Sequence, residues 1–471
     1  MGNVGNGAGR LSTGKIWAFS IGTLGEYFVY FLFFNYFLYY LTDYVGIAPA
    51  IAGAILSFAM IWDAITDPVV GYINDTSKNP NGRRRPMMIK TIIPFIITYG
   101  LCFIRPNIEM GPALYIYYGF VALAFWLCFT CVQVPFYGLL PEIAHHETDR
   151  LKIRQAMAFI GNGGNIAIGL VPITLELVIK LGFDEMAAWS ITMFVLGTIG
   201  ALGFVATYYA SKGMETPIDQ VVRPKSNIFA TYLKVIKLNG YLPVVLLYML
   251  STVAINIVFA SIMYVGGEKL QLPAGQLSIV MSAYTFSGVI FVPLITLLSK
   301  RFGSLKSFKG SLIVALVAYI AIGIVGVNSF GIMLVHGVLT GGCFVLFTAY
   351  TYVLFYEICD LAYLKTNEQL EGSVISFATF GYKVGAAISG LSMGLALTII
   401  GYDGTVEVKS VEMLSKLDGL ITFIPAALIV AIFALLCLYP IKPKSYEAIK
   451  AAKVAKEEGR EYSIAEFEHL L

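Results

Sequence analysis

Charged residues are scarce in this sequence. Asp, Glu, Lys and Arg make up 13% of its 471 residues, whereas 58% are hydrophobic. Soluble domains usually contain roughly 25% charged and 45–50% apolar residues, so an ordinary soluble globular domain is excluded. The composition predicts a polytopic membrane protein, and the net charge of +3 adds little because acidic residues hardly affect membrane orientation.

Residues that carry metal or catalytic chemistry are also few. The six cysteines lie in or at the ends of apolar segments, where cysteine acts as a small buried hydrophobe. Only Cys128 and Cys131 form a C-x-x-C pair, and no His stands at zinc-ligand spacing from it. The sequence contains no nucleophile constellation and no glycine-rich phosphate loop, because Gly161-Asn162-Gly163-Gly164 falls inside a predicted helix. We therefore expect neither enzyme activity nor a cofactor.

Hydropathy predicts an all-α fold with twelve transmembrane helices. A window of about 20 apolar residues is long enough to cross a hydrocarbon core about 30 Å thick. The predicted spans cover residues 15–41, 48–73, 87–105, 112–140, 153–180, 187–209, 241–265, 276–299, 310–328, 331–357, 373–401 and 418–440.

Basic residues in the connecting loops predict the orientation. They are concentrated after spans 2, 4, 6 and 8, and loops rich in Lys and Arg remain in the cytoplasm. We therefore expect both termini in the cytoplasm and the chain in the plasma or inner membrane of the cell. Residues 1–14 lack the apolar stretch of a cleavable signal peptide.

The chain is predicted to consist of two six-helix halves. The bundles 15–209 and 241–440 are separated by a polar loop at 210–240, and cytoplasmic segments at 1–14 and 441–471 flank them. Leu140-Pro141-Glu142-Ile143 closes span 4 as Tyr356-Glu357-Ile358 closes span 10. The basic loop Gly82-Arg83-Arg84-Arg85 has a counterpart in Lys300-Arg301-Phe302-Gly303. Such parallel repeats form a central site that is exposed alternately to the two sides of the membrane.

Two acidic residues interrupt the apolar second span. Asp63 and Asp67 are four residues apart, so their side chains project from one face of a helix with Cβ atoms roughly 5–6 Å apart. A charge at mid-membrane depth costs roughly 2.5–3.5 kcal/mol on insertion scales, and acids there usually bind or relay a cation. The pair therefore predicts a cation site. An alternative is that Asp67 only caps a helix break before Pro68.

Several motifs resemble those of one transporter family. Trp62-Asp63-Ala64-Ile65-Thr66-Asp67-Pro68 and the following basic loop resemble the second helix of the glycoside-pentoside-hexuronide cation symporters. This is the melibiose-carrier family within the major facilitator superfamily. Tyr40-Leu41-Thr42-Asp43, Val134-Pro135-Phe136-Tyr137 and Lys383-Val384-Gly385 extend the resemblance over nearly the whole chain.

The resemblance implies roles for particular residues. Asp63 and Asp67 match the family's cation-binding acids, and Thr130 matches the hydroxyl that completes that site. Two carboxylates and a hydroxyl suit sodium, and either acid could instead carry a proton.

The substrate site implied by the resemblance is only partly matched. The family's helix-one acid falls on Tyr27, with Glu26 beside it, and Gln133 replaces its helix-four acid. Because an amide lacks the charge of a carboxylate, the substrate need not be a galactoside. The remaining matches are Tyr137, Arg154 after a short deletion, and Lys383.

Acidic residues at the predicted cytoplasmic helix ends lie near basic loops. We assign them to ion pairs that hold the two bundles together in one state of the transport cycle. The proposed gate residues are Asp75, Arg83, Glu142, Glu357 and Asp360.

These features predict a secondary active transporter that couples a sugar, glycoside or hexuronide to sodium or protons and functions as a monomer. Two alternatives remain open. One is a lipid or lysolipid carrier, in which the aromatic residues of span 1 would line an apolar cleft. The other is a membrane sensor of the same fold that transports nothing. In the first alternative, the aromatic residues of span 1 are Tyr27, Phe28, Tyr30, Phe31, Phe33 and Phe34.

Overall fold

The chain folds into helices. The structure is a computed structural model that describes residues 11–80, 82–144, 146–164, 166–214, 233–368, 370–406 and 408–470, and every regular element in these ranges is helical. Most of the predicted segment 1–14 and most of the predicted loop 210–240 lie outside the described residues.

Twelve helical segments correspond to the predicted spans. Ten of them have the length and apolar composition of a membrane span, and α3 and α5 account for the other two. The all-α, twelve-span prediction is confirmed. The elements are α1 (Thr13–Ser20, Gly22–Tyr39 and Tyr40–Tyr44), α2 (Pro49–Thr76), α3 (Arg85–Cys102), α4 (Pro112–Ile143), α5 (Glu147–Gly164 and Ile166–Lys180), α6 (Glu185–Ala210), α7 (Tyr241–Met263 and Tyr264–Lys269), α8 (Ala274–Phe302), α9 (Ser304–Val325), α10 (Phe330–Thr366), α11 (Glu371–Ile399), α12 (Val411–Ile421 and Phe423–Cys437) and a tail helix α13 (Pro443–Glu457).

The first helix of each half ends in the same unusual way. Both α1 and α7 finish in a π-helical turn, at Tyr40–Tyr44 and Tyr264–Lys269. Each turn is soon followed by a residue in the left-handed region, Gly46 with φ 83° and Gln271 with φ 47°. Tyr-Val-Gly occurs near both turns, but Tyr44 is the last residue of the first turn and Tyr264 is the first residue of the second, so the motif does not mark the same position in the two helices.

The described residues form two compact units. The first comprises residues of Met1–Arg223, Leu272–Thr285 and Leu397–Val408, and the second comprises residues of Pro224–Gln271, Phe286–Ala396 and Lys409–Leu471. Two short segments inside the predicted bundle 241–440 therefore belong to the first unit.

Specific contacts hold these two segments in the first unit. A Cβ at Gly169 would lie 3.0 Å from the carbonyl oxygen of Ser278, so α5 and the start of α8 approach closely because Gly169 has no side chain. The Tyr402 hydroxyl donates a hydrogen bond to Asp43. A Cβ at Gly404 would lie 2.4 Å from the carbonyl oxygen of Thr42, so no larger residue fits there.

Glycine also permits the close approach of α1 and α6. A Cβ at Gly25 would lie 2.7 Å from the carbonyl oxygen of Gly200, and a Cβ at Gly203 would lie 2.7 Å from that of Ile21. Small residues at helix interfaces permit such contact inside a membrane. The packing fixes the rotation of α1 and therefore the direction in which Glu26 points.

The aromatic residues of α1 mostly fill the interior of the first unit. The Phe33 ring centroid lies 4.8 Å from that of Phe125, and that of Tyr30 lies 5.5 Å from Trp126. Phe33 and Phe34 are buried. Phe33 and Phe34 therefore stabilise the packing of α1 against α4, whereas Tyr27, Phe28, Tyr30 and Phe31 are half-buried, so the alternative of an apolar cleft along span 1 stays open.

The tail helix α13 docks on the end of α10. Lys453 Nζ binds Asp360 Oδ1 at 2.7 Å, and the Tyr446 hydroxyl donates to Asp360 Oδ2 at 3.1 Å. Lys456 donates to the carbonyl oxygen of Tyr363 at 3.0 Å, near the C-terminus of α10. This coverage explains why α10 continues to Thr366, nine residues beyond the end predicted from hydropathy.

Loss of the ion pair between Lys453 and Asp360 should loosen the tail. Because both side chains are partly exposed, we expect Lys453→Met to destabilise the protein by about 1 kcal/mol and to lower the melting temperature in detergent. Lys450→Met, at an exposed position of the same helix, is the matched control. Equal melting temperatures for the two variants would show that this ion pair does not stabilise the docked tail.

Candidate functional site

Asp63 is buried at the contact between α2 and α4. Only 1% of the surface of Asp63 is exposed. The Thr130 hydroxyl of α4 donates to Asp63 Oδ1 at 2.9 Å. Thr66 Oγ1 lies 3.3 Å from Thr130 Oγ1 and donates to the Asp63 carbonyl oxygen at 3.1 Å. One hydroxyl group therefore binds the buried carboxylate, and a second lies next to the first.

The acidic face of α2 points into the protein. Asp63, Thr66 and Val70 are buried at helical spacing, whereas Ile65 and Val69 on another face are exposed. The carboxylate of Asp63 therefore does not face lipid. This orientation is the one required for a cation site within the bundle.

Asp67 lies one helical turn beyond Asp63, and its Oδ1 atom is buried. The helix continues through Pro68 to Thr76, so Asp67 does not cap a helix end. Because proline has no backbone N–H, the carbonyl oxygen of Ala64 lacks its usual helical donor at this point. Carboxylate, hydroxyl and carbonyl oxygens are thus concentrated within two turns of α2.

This set of oxygens has the chemistry of a site for a hard cation. Sodium-like and other hard ions prefer carboxylate, hydroxyl and carbonyl oxygen to nitrogen or sulfur. Among the described residues, no group of three or more His, Cys, Asp and Glu side chains could hold a metal ion. Asp63 and Asp67, with the hydroxyl groups of Thr66 and Thr130, offer oxygen atoms that could bind a coupling cation.

Sequence analysis missed Thr66. It lies three residues after Asp63, so helical spacing places it on the same face as Asp63 and about 100° around the helix from Asp67. A polar residue between two intramembrane acids was the signal that could have identified it.

A second carboxylate cluster is formed by Glu26 of α1. Gln133 Nε2 of α4 donates to Glu26 Oε1 at 2.8 Å, and the Tyr137 hydroxyl donates to Glu26 Oε2. Three predicted site residues are thus brought together. Their groups are two neutral donors and one acidic acceptor, an arrangement suited to exchanging hydrogen bonds with the hydroxyl groups of a ligand.

Helix α4 connects the two clusters. Thr130, Gln133 and Tyr137 lie at positions i, i+3 and i+7, so they share one face of the helix. At a rise of about 1.5 Å per residue, Gln133 and Tyr137 lie about 5 and 11 Å along the helix axis from Thr130. The cation cluster and the Glu26 cluster are therefore adjacent.

Tyr27 points in a different direction from Glu26. Its ring packs over α5, where a Cβ at Gly161 would come within 2.8 Å of Tyr27 Cζ and a Cβ at Gly164 within 3.1 Å of Tyr27 Cβ. The structure therefore places Tyr27 in the packing of α1 against α5. The acid that meets α4 is Glu26, one residue before the position that alignment with the family selects.

Arg154 is not brought to the Glu26 cluster. The hydrogen bond from Ser20 to the Ile153 carbonyl oxygen places Arg154 level with Ser20. Glu26 lies six residues further along α1, which is roughly 9 Å. Arg154 is exposed at this level.

Lys383 lies in the second unit between two glycines of α11. A Cβ at Gly381 would lie 2.8 Å from Val245 Cγ1, and a Cβ at Gly385 would lie 2.7 Å from the Met249 carbonyl oxygen, so both glycines face α7. Lys383 is two residues from each glycine. It therefore projects from the opposite face of α11.

The predicted gate residues of the first unit form one ion-pair group. Glu142 at the end of α4 binds Arg83, and it binds Arg84 at 2.8 Å. Asp75 of α2 binds Arg84 at 2.9 Å and lies 3.9 Å from Arg83. Arg84 was not among the predicted residues, and it also donates to the carbonyl oxygen of Gly138.

The predicted gate residues of the second unit bind groups at the end of α12 and in α13. The Tyr439 hydroxyl donates to Glu357 at 2.9 Å, and Asp360 pairs with Lys453. In this structure, the acids of each unit are bound within that unit. The role of these acids as a gate remains a prediction.

Intramembrane acids that bind hydroxyl, amide and phenol groups, held on twelve apolar helices, are characteristic of a membrane transporter. The structure is similar to that of the nucleoside transporter NupG, with a TM-score of 0.64 and 13% identity over 91% of this chain and 100% of that one. A family model described as "MFS/sugar transport protein" matches residues 18–443. The chain therefore belongs to this family of the major facilitator type, and it is a transporter rather than an enzyme.

Similar proteins include sugar and glycoside carriers. The putative glycoside/cation symporter YagG of Escherichia coli K12 is 24% identical over 95% of this chain and 93% of its own length. The glucuronide carrier protein homolog of the same organism is 23% identical over 93% and 95%. The isoprimeverose transporter of Lactiplantibacillus pentosus is 23% identical over 82% and 79%.

Removing the Thr130 hydroxyl should weaken cation binding. Thr130→Val keeps the side-chain volume but deletes a hydrogen bond to a buried carboxylate, worth about 1.4 kcal/mol. We expect the cation concentration for half-maximal uptake to rise about tenfold. Titrations of transport with sodium and with pH measure this concentration. Thr296→Val, which alters an exposed hydroxyl that donates to the Val292 carbonyl oxygen of its own helix α8, should leave both titrations unchanged.

Proposed function

We propose that this protein imports a sugar or glycoside together with sodium or protons. The observation that carries the proposal is the double role of α4. Its Thr130 binds the buried Asp63, and its Gln133 and Tyr137 bind Glu26. One helix thereby contacts both a candidate ion site and a candidate solute site.

Asp63, Asp67, Thr66 and Thr130 would bind the coupling ion. Sodium would be held by the oxygen atoms of these residues, whereas a proton would sit on one of the two carboxylates. Either ion neutralises charge that otherwise resists enclosure in a medium of low dielectric constant. Ion occupancy would therefore favour the state that encloses solute, which is reciprocal coupling between two sites.

Glu26, Gln133 and Tyr137 would bind the solute. A carboxylate can accept two adjacent hydroxyl groups in a bidentate manner, and the amide and phenol can both donate and accept. In the structure, the amide and the phenol bind Glu26 itself. Sugar hydroxyl groups offer the same kind of donor, so they can replace these protein donors at little cost in hydrogen bonding.

The remaining expected properties follow from the same proposal. Both termini lie in the cytoplasm, and the chain works as a monomer in the cell membrane. Asp75, Glu142, Glu357 and Asp360, with Arg83, exchange partners between the two units during the cycle. Lys383 contacts solute from the second unit, whereas Arg154 reaches the solute only after α5 shifts relative to α1.

The proposed function is tested by uptake into proteoliposomes. Isoprimeverose, a glucuronide and sulfoquinovose are suitable solutes, because similar proteins are named for them. Each is tested with an imposed sodium gradient, with a proton gradient and with neither. Accumulation of at least one solute under one gradient is expected. Binding or uptake of none of them, with or without a gradient, would contradict the proposal.

The cation site has its own test. Asp63→Cys and Asp67→Cys should abolish gradient-driven accumulation while leaving some solute exchange, because the ion site is lost and the solute site remains. Glu176→Gln, which alters an exposed acid paired with Lys180 on α5, is the control and should transport normally. Unchanged accumulation in both Cys variants would end the assignment.

The solute site is tested by Glu26→Gln. This change removes the charge that accepts two hydroxyl groups but keeps the size of the side chain. We expect solute binding to fall at least tenfold, the cost of about one charge-assisted hydrogen bond. Binding of the solute to purified protein by calorimetry measures this separately from ion coupling. Equal affinity would place the solute elsewhere.

A further inference from the structure

The turn between α8 and α9 carries a group of four basic residues. Lys300 and Arg301 lie in the last turn of α8, and Lys306 and Lys309 lie in the first two turns of α9. The first three are exposed and Lys309 is half-buried. The Arg301 guanidinium carbon lies 5.2 Å from the ring centre of the exposed Phe302. Four positive charges are therefore presented where these two helices meet.

No acid in the surrounding sequence balances these charges. The chain contains no Asp or Glu between Glu268 and Glu357. Within the described ranges, none of the four basic residues forms an ion pair. In the first unit, by contrast, Arg84 is bound by Asp75 and Glu142. The charge of the α8–α9 turn is therefore available to an anion from outside the chain.

The N-terminus of α9 adds backbone donors to this turn. The first N–H groups of an α-helix have no acceptor within the helix, and no side chain caps α9. Ser304, Leu305 and Lys306 therefore present their backbone N–H groups to the turn. The helix dipole places partial positive charge at the same end, which favours an anion such as a phosphate group.

A buried hydroxyl group lies beside these amides. Ser307 is only 6% exposed, and its Oγ atom has no hydrogen-bond partner among the residues that the structure describes. Because the Cα–Cβ bonds of a helix tilt toward its N-terminus, the Ser307 hydroxyl is directed to the first turn of α9. Burying a hydroxyl without a partner is unfavourable, so an acceptor at this N-terminus would stabilise the helix.

The face of α9 that continues from Lys306 is exposed and apolar. Its exposed positions follow helical spacing, and after Lys306 they are Gly310, Ile313, Val317, Ile320 and Ile324. A Cβ at Gly310 would meet no atom within 4 Å, so nothing covers the face at that point. An apolar face on the outside of a membrane helix contacts lipid chains, and its basic end then lies near the lipid headgroups.

We propose that the α8–α9 turn binds the phosphate group of an anionic phospholipid such as phosphatidylglycerol. The backbone N–H groups of α9 and the Ser307 hydroxyl donate hydrogen bonds to the phosphate oxygens, and Arg301 and Lys306 neutralise its charge. An acyl chain of the same lipid lies along the exposed apolar face of α9. A free phosphate ion would use the same donors but would gain nothing from that face.

Binding is measured on the purified full-length protein in detergent. Native mass spectrometry counts the bound lipids, and the melting temperature reports their effect on stability. The added ligands are phosphatidylglycerol, phosphatidylcholine, which has the same phosphodiester but no net charge, and sodium phosphate. We expect one phosphatidylglycerol molecule to be retained and to raise the melting temperature, whereas the other two ligands should do neither.

Two double variants test the positive charges. Arg301→Gln combined with Lys306→Gln should weaken phosphatidylglycerol binding at least tenfold, because charge-assisted contacts to the phosphate are lost. Lys212→Gln combined with Lys450→Gln is the matched control. It removes the same number of charges from exposed lysines beyond the end of α6 and on α13, and it should bind phosphatidylglycerol normally.

Ser307→Ala tests the buried hydroxyl. Without phosphatidylglycerol, this variant should keep or raise the melting temperature, because it removes a buried hydroxyl that has no partner. With phosphatidylglycerol, it should gain less stability than the unsubstituted protein, because one donor to the phosphate is missing. A serine with only a structural role would give the same difference in melting temperature under both conditions.

Three results would overturn the proposal. Equal binding of phosphatidylglycerol and phosphatidylcholine would show that the turn does not recognise an anionic lipid. Equal losses in the two double variants would show attraction to the overall charge of the protein only. Stabilisation by sodium phosphate, with no further effect of phosphatidylglycerol, would assign the turn to a free anion. None of these results depends on sugar transport, so they leave the proposed function untouched.

Discussion

A buried carboxylate must obtain hydrogen-bond donors from the protein, and this requirement shapes the first unit. Asp63 is buried and Glu26 is half-buried among apolar helices, so each carboxylate is stabilised by a donor on a neighbouring helix. Both receive donors from α4, through Thr130 for one and through Gln133 and Tyr137 for the other. A rotation or shift of α4 would alter both sets of contacts together, which is the physical basis for coupling an ion to a solute.

The donors can meet the acids only because the helices pack closely. Lipid gives little hydrophobic drive for helix association, so close contact depends on small residues. Gly25, Gly200 and Gly203 hold α1 against α6, and Gly161 and Gly164 accept the ring of Tyr27. These contacts set the rotation of α1, which directs Glu26 to α4. These glycines belong to no catalytic motif. They position the polar groups because they permit the close helix packing that sets the rotation of α1.

Much of this organisation could be predicted from the sequence, because hydropathy and spacing act locally. Hydropathy anticipated the twelve spans, whereas the pairing of Asp63 with Thr130 was implied only by the resemblance to the symporter family. The choice of Glu26 over Tyr27 was not settled by alignment, since neighbouring residues on a helix differ by about 100° and a one-residue shift changes the partner. The distance between Arg154 and Glu26, and the docking of Lys453 on Asp360, depend on packing between distant segments. No local pattern encodes those contacts.

The π-helical turns at the ends of α1 and α7 bear on the history of the chain. A π-turn corresponds to one residue inserted into an α-helix; such turns are rare and occur frequently at functional sites. Finding it at matching places in both halves dates it, on the simplest account, to a single ancestral six-helix protein before the gene doubled.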